Sequence, residues 1–191
     1  DVSAETVARV VGDWTGIPLR PSTAEELHRL FLAKGALATT AIEGNTLSEE
    51  EVLKHLQGEL RLPPSREYLA REIDNVVAVC NSIMEQFRRG ADLTLHPVAI
   101  KEFNSRILRD LDLEPGVIPG EVRSHSVGVA RYRGAPAEDC EFLLNRLCEW
   151  MNGPQFAAPP GMETTYSIVK AIQAHLYLAW IHPFGAGNGR T

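Results

Sequence analysis

The residues with the clearest capacity for chemistry lie at the end of the chain, from His182 onward. His182 follows a strongly apolar run, Tyr166 to Ile181, whose hydrophobic residues recur at steps of three and four, which predicts a buried helix. Pro183 restricts the backbone of the residue before it, so this helix is expected to end at His182. Histidine changes its charge near neutral pH, which makes His182 a candidate general base.

A glycine-rich turn follows the histidine. Gly185, Gly187 and Gly189 allow the backbone to turn sharply and to present consecutive N–H groups. If a second helix starts near Asn188, these groups point outward at its positive end and form a site suited to phosphate. Arg190 adds a planar cation on the same turn. A titratable base beside a phosphate site is the arrangement that group transfer from a nucleotide requires.

The same residues resemble a known family. His-Pro-Phe-x-x-Gly-Asn-Gly-Arg is the signature of the Fic domain, and the chain matches all seven fixed residues between His182 and Arg190. The resemblance implies transfer of AMP from ATP to a Ser, Thr or Tyr hydroxyl of a protein, with His182 as the general base. Gly187, Asn188 and Gly189 would hold the α- and β-phosphates, and Arg190 would neutralise their charge.

One position departs from the family pattern. Fic domains usually carry Asp or Glu directly before Gly-Asn-Gly, and that carboxylate holds the Mg²⁺ that bridges the nucleotide phosphates. Here the residue is Ala186, whose methyl group cannot ligate a cation that prefers oxygen donors. We therefore predict no metal-ligating residue, although the resemblance implies Mg²⁺. Two interpretations stay open: a variant that holds the metal through phosphates and water, or a weakened or engineered site.

A second informative stretch lies far upstream, from Thr39 to Asn45. It resembles the Fic inhibitory motif, which is a Ser or Thr, three residues, then Glu and Gly or Asn. The resemblance implies regulatory roles for Thr39, Glu43 and Gly44, in the class whose inhibitory helix precedes the core. In that class the Glu pairs with a second arginine, whose position would lie beyond Thr191, and blocks the γ-phosphate. Without the resemblance, Glu43 is a solvated carboxylate at a helix end.

Hydrophobic periodicity predicts helices throughout, and the resemblance implies an all-α fold, a single Fic-like helical domain with a short β-hairpin flap and a truncated C-terminus. We expect residues 1–64 to form an N-terminal helical region with the inhibitory motif, and residues 65–191 a Fic core incomplete at its C-terminus. Other helices are predicted at 3–11, Ser22–Gly44, Ser48–Gly58, Ser65–Gly90, from Pro97, and at Ala137–Asn152. Asn104 and Arg106 are placed on the surface or behind the site and receive no role.

Prolines and glycines interrupt the helical pattern over residues 111–135, with a short extended run near 127–132. Fic domains carry a β-hairpin flap in this order, after a Gly and an Arg, which Gly120 and Arg123 match. The resemblance implies that a target protein docks on the flap, near residues 123–133, by strand addition. A plain surface loop is the alternative.

Composition limits the class of protein. The chain has 191 residues, 44% of them hydrophobic and 23% charged, which is ordinary for a globular protein. A net charge of −6 argues against a generic nucleic-acid binder. Cys80, Cys140 and Cys148 lack paired spacing, so we predict reduced, buried thiols and neither a disulfide nor a zinc site. Without a signal peptide or an uncharged apolar run of membrane length, we expect a cytoplasmic protein with no membrane partner. A homo-oligomer stays open.

Three rival functions remain on sequence grounds. One is a Fic enzyme that moves another phosphate-containing group, or that removes AMP with the help of Glu43. The second is a catalytically weakened module that binds a nucleotide or a protein, which Ala186 favours. The third is a toxin-type Fic domain whose antitoxin supplies the inhibitory Glu, and the presence of Glu43 in the chain argues against it.

Overall fold

The computed structural model describes Arg9 and residues 21–92, 94–129 and 132–191. The helices of this part are α1 (Pro21–Ile42), α2 (Glu49–Leu56), α3 (Glu67–Arg88), α4 (Pro97–Ile107), α5 (Ala137–Met151) and α6 (Glu163–Ile181). One antiparallel pair of short strands, β1 (Gly128–Val129) and β2 (Tyr132–Arg133), and two 3-10 turns, Pro64–Arg66 and Pro154–Phe156, complete it. The predicted all-α fold with a short β-hairpin is confirmed. Apart from Arg9, the helix predicted at 3–11 lies outside the described residues.

The chain divides into two compact units, Asp1–Leu93 and Thr94–Thr191. The first unit contains α1, α2 and α3, and α3 packs against both α1 and α2. By compactness α3 therefore belongs with the N-terminal helices. The apolar face of α3 is covered from the N-terminal side. The expected assignment of residues 1–64 to the inhibitory region and of residues 65–191 to the Fic core stays a prediction.

Local signals in the first unit form as the sequence predicts. Ser48 caps α2: its hydroxyl oxygen accepts from the Glu51 N–H at 3.2 Å, and the Glu51 carboxylate accepts from the Ser48 N–H at 2.8 Å. Gly44, with φ of 97°, follows the end of α1. The buried Asn45 amide then donates to the Leu69 carbonyl at 2.9 Å, which ties the end of α1 to α3.

The second unit is built around the inner faces of α4, α5 and α6. Pro97 occupies the first turn of α4, where its missing N–H costs no hydrogen bond. The core cluster comprises Ile100, Cys140, Leu144, Leu147, Cys148, Met151, Leu178, Ile181 and Phe184. Burial of these side chains holds α6, and with it the start of the candidate site, against α5.

The prediction of a buried final helix is only half correct. α6 is present, but within the described residues only Leu178 and Ile181 on it are buried. Its exposed large apolar residues are Ile168, Val169, Ile172, Leu176, Tyr177 and Trp180. Apolar residues lie on every side of the helix, between polar ones such as Lys170 and Gln173, and the core cluster covers a single stripe of it. Among the described helices, none combines the length and apolar character that a membrane crossing needs.

Candidate functional site

His182 stands directly after α6 in a left-handed backbone conformation, with φ of 52° and ψ of 58°. Its N–H donates to the Leu178 carbonyl at 2.9 Å, which closes the helix. Its ring Nδ1 lies 3.3 Å from the Ala179 carbonyl oxygen. A carbonyl can only accept, so this contact places a proton on Nδ1, and in the neutral ring Nε2 then carries the lone pair. That tautomer is the one a general base needs.

The Asn188 side chain closes the loop after the histidine. Asn188 is only 2% exposed, its amide donates to the Phe184 carbonyl at 2.8 Å, and it accepts from the Phe184 N–H at 2.9 Å. Phe184 is itself 1% exposed and lies in the core cluster. The Asn188 side chain therefore shapes the loop, while a phosphate contact from its backbone N–H stays a prediction.

A helical turn begins at Gly187. The N–H groups of Arg190 and Thr191 donate to the Gly187 carbonyl at 3.1 and 2.9 Å, where the sequence places the start of a second helix. Gly187 has φ of 72°, and a Cβ added there would lie 2.9 Å from Leu108 Cδ2. Both the backbone and the space thus require glycine. The half-buried Arg190 lies on this turn, and the phosphate roles of Gly187, Gly189 and Arg190 stay predictions.

Asn104 on α4 supports the loop from behind. Of the two placements that the sequence leaves open, the surface and a position behind the site, the structure shows the second, with a role that the sequence does not assign. It is fully buried, and its amide donates to the Ala186 carbonyl at 3.0 Å and to the Thr191 hydroxyl at 3.1 Å. Its side-chain oxygen accepts from the Gly120 N–H at 2.9 Å. The helical periodicity could have indicated this position. Asn104 lies four residues after Ile100 and three before Ile107, and both of these are buried apolar residues of α4.

The predicted hairpin is present and is joined to the motif. Its register pairs Gly128 with Arg133 and Val129 with Tyr132. Ahead of the hairpin, Val122 forms an isolated antiparallel bridge with Phe184. The segment predicted to be a flap is therefore paired, just before its hairpin, with the loop that follows His182.

The slot where the family carries a metal-binding carboxylate offers no ligand in this chain. Ala186 presents a methyl group, and its carbonyl oxygen accepts from Asn104. Among the described residues, no group of three or more His, Cys, Asp or Glu side chains could hold a metal ion. The loop residues therefore do not fit a protein-ligated Mg²⁺.

The three predicted regulatory residues lie together at the end of α1, in the first unit. Thr39 is half-buried in the last turn, whereas Glu43 and Gly44 are exposed just beyond it. The Glu43 N–H donates to the Thr40 carbonyl at 3.0 Å, and the Gly44 N–H to the Ala41 carbonyl at 3.1 Å. A contact between Glu43 and the phosphate turn stays a prediction.

The second unit, with its hairpin and its histidine loop at the end of a long helix, defines a Fic-type fold. Residues 94–191 match the family model described as the Fic/DOC family. The chain belongs to the Fic/DOC family.

Known relatives agree with that assignment. The chain is 29% identical over 161 residues to the protein adenylyltransferase fic-1 of Caenorhabditis briggsae, a match that covers 80% of this chain and 28% of the relative. It matches a Fic family protein from Desulfovibrio desulfuricans with a TM-score of 0.69 and 23% identity, over 100% of this chain and 55% of that one. A Fic domain-containing signalling protein from Bacteroides thetaiotaomicron gives a TM-score of 0.71 and 22% identity, over 96% and 68% of the two chains. The two structures show the shared fold.

Proposed function

We propose that this chain is the catalytic part of a protein adenylyltransferase, which transfers AMP from ATP to a Ser, Thr or Tyr hydroxyl. The observation that carries this proposal is the orientation of His182, whose Nδ1 faces the Ala179 carbonyl and whose Nε2 is left as the base. The helical turn that begins at Gly187 supports it, as does the resemblance to a relative named a protein adenylyltransferase.

In the proposed reaction, Nε2 of His182 removes the proton of the target hydroxyl as its oxygen attacks the α-phosphorus of ATP. The bond between the α-phosphorus and the bridging oxygen to the β-phosphate breaks, and pyrophosphate leaves. Backbone N–H groups of the turn and the Arg190 guanidinium stabilise the charge on the phosphate oxygens. A positioned general base of this kind contributes about 10²–10⁴-fold to the rate.

The hairpin is the proposed docking site for the target. Its two strands, Gly128–Val129 and Tyr132–Arg133, form a pair of only two, so each strand has one edge outside that pair. An extended segment of a target protein can add to such an edge through backbone hydrogen bonds, which tolerates varied sequences. This mode suits an enzyme that recognises a hydroxyl in an exposed loop.

Glu43 is the residue that we propose to inhibit the resting enzyme. Its carboxylate would hinder the productive pose of the ATP triphosphate by pairing with an arginine of the phosphate site.

The three free thiols, Cys80, Cys140 and Cys148, are consistent with a reducing compartment, and we place the reaction in the cytoplasm.

A second candidate function is a Fic module that binds a nucleotide or a protein without transferring AMP. Ala186 in the carboxylate slot is the specific observation that favours it. Because the glycine turn does not distinguish one phosphate-containing group from another, transfer of a different group is a variant of the first proposal.

Two labelled substrates separate these functions. The protein carrying Glu43→Gly, which removes the proposed inhibition, is incubated with ATP labelled at the α-phosphate or at the γ-phosphate, and its own hydroxyls serve as acceptors. We expect covalent label from the α-phosphate only, and its loss in His182→Ala. Label from the γ-phosphate alone would indicate phosphate transfer. Binding of ATP without any covalent label would favour the binding module.

A further inference from the structure

The end of α6 is closed by donors from the hairpin segment, residues 122–135. The last carbonyls of a helix have no later N–H within the helix to accept from. The donors here are the Tyr132 hydroxyl to Trp180, the Ala135 N–H to Ile181 at 3.3 Å, Arg123 Nε to His182 at 2.7 Å, and the Arg123 N–H to Pro183 at 2.9 Å. The carbonyls on both sides of His182 are thus held by the segment that carries the hairpin.

Arg123 is the centre of this arrangement. It is only 5% exposed, and in addition to its bond to His182 its Nη1 donates to the His125 carbonyl at 2.6 Å. Its Nη2 donates to the Ala135 carbonyl at 2.5 Å and to the Ile181 carbonyl at 3.5 Å. One rigid guanidinium therefore joins both ends of the hairpin segment to the end of α6. Its charge also lies at the negative end of that helix.

The backbone of His182 needs such support. A residue with a Cβ is disfavoured in the left-handed conformation, and it persists there only when its surroundings hold it. The surroundings are tight: a Cβ added at Gly134 would lie 3.0 Å from Arg123 Nη2 and 3.1 Å from His182 Cβ. The backbone at Gly134, directly after β2, thus packs against both the Arg123 guanidinium and the His182 side chain.

We infer that Arg123 is a positioning residue that holds His182 in its reactive orientation and couples it to the hairpin on which the target docks. The inference rests on the proposed function for its catalytic consequence, but the positioning itself is a property of the fold. A lysine cannot replace the arginine, because a single ammonium group cannot donate along the three directions that Nε, Nη1 and Nη2 serve.

The test compares Arg123→Lys with Arg146→Lys, the same change at an exposed arginine of α5 whose partner is Glu149. Three quantities are measured: kcat and KM for ATP in the label-transfer assay, the dissociation constant for ATP, and the NMR signals of the His182 ring. For Arg123→Lys we expect kcat to fall by about 10²-fold, because small displacements of a reacting group cost that much. We expect the ATP affinity to stay within about twofold, since the turn at Gly187 is untouched. The His182 ring signals should move, and Arg146→Lys should change none of these quantities.

Several results would overturn the inference. One is a folded Arg123→Lys protein whose His182 ring signals match those of the protein with Arg123. Another is an active enzyme whose kcat is left unchanged by Arg123→Lys. If the protein transfers no AMP even when it carries Glu43→Gly, the proposed function fails, and the ring signals alone decide the positioning role. If Arg123→Lys does not fold, Gly134→Ala is read by the same criteria, because it keeps the guanidinium and crowds Nη2 and the histidine.

Discussion

At the scale of single residues, the polar side chains around the motif serve mainly to hold its shape. Asn188 ties the loop to Phe184, and Asn104 ties it to α4 through the Ala186 carbonyl. These buried amides are paired, and a buried amide left unpaired would cost about 1–3 kcal/mol. His182 then stands on a rigid frame. At Ala186 the loop lacks the carboxylate that Fic domains usually carry.

Ala186→Asp restores an oxygen ligand at that position, and we expect it to tighten the binding of ATP in the presence of Mg²⁺ and to raise the transfer rate. The matched control is Ala186→Asn, which has nearly the same size but no charge. Calorimetric titration with ATP, with and without Mg²⁺, measures the effect. Equal affinities for the Asp and Asn variants would mean that a carboxylate in this slot does not serve a metal.

The residues of the motif could be predicted from sequence because seven fixed letters fall within nine positions. Asn104 and Arg123 could not be given their roles in the same way. Asn104 reaches Thr191 across 87 positions, and Arg123 reaches His182 across 59. Nothing local in the sequence reports such contacts. For Asn104, the sequence signal was its position on the inward face of α4.

At the scale of elements, the helix ends carry the candidate function. The end of α6 holds His182 and is closed by the hairpin segment, while the end of α1 holds Glu43 in an exposed turn. The starts of α2 and α4 were predictable because Ser48 with Glu51 and Pro97 act within one turn of helix. The exposure of α6 could not be predicted from the sequence, because apolar residues lie on every side of this helix and the neighbouring elements decide which of them are covered.

Glu43→Gly is expected to raise the covalent incorporation of AMP by between about fivefold and 150-fold, the usual range of coupling between two sites. The physical reason is the loss of a carboxylate that competes with the ATP triphosphate for an arginine. Glu59→Gly, at another exposed Glu after a helix of the same unit, is the matched control. Because Glu43 is exposed, we expect the melting temperature to change little. Equal rates for both variants would remove the inhibitory role of Glu43.

At the scale of the whole molecule, each compact unit has its own buried side chains. The core of the second unit contains two thiols, Cys140 and Cys148, packed among aliphatic residues. Burial raises the pKa of the Cys148 thiol to about 11, because the thiolate would lose its hydration. Unfolding exposes this thiol, which can then lose its proton near pH 9.

The buried Cys148 thiol makes the unfolding free energy depend on pH in the alkaline range. Below about pH 9 the thiol is protonated in both states, and its contribution to stability is complete. Between about pH 9 and about pH 11 the unfolded state loses the proton first, so the unfolding free energy falls. For two pKa units the loss is about 3 kcal/mol. Denaturant titrations of wild type and Cys148→Ala across this range should show a steeper fall in the wild type. Parallel curves would contradict the assignment.

The proposed function depends most on His182 as the general base for AMP transfer. Its most direct test is the rate of covalent AMP incorporation, followed by intact mass, in the full-length protein that carries Glu43→Gly, with and without His182→Ala. Loss of the base should lower the rate by about two to four orders of magnitude. The dissociation constant for ATP should stay unchanged, because the turn that begins at Gly187 does not depend on the imidazole. An unchanged rate of AMP incorporation in a folded His182→Ala protein would show that His182 is not the base.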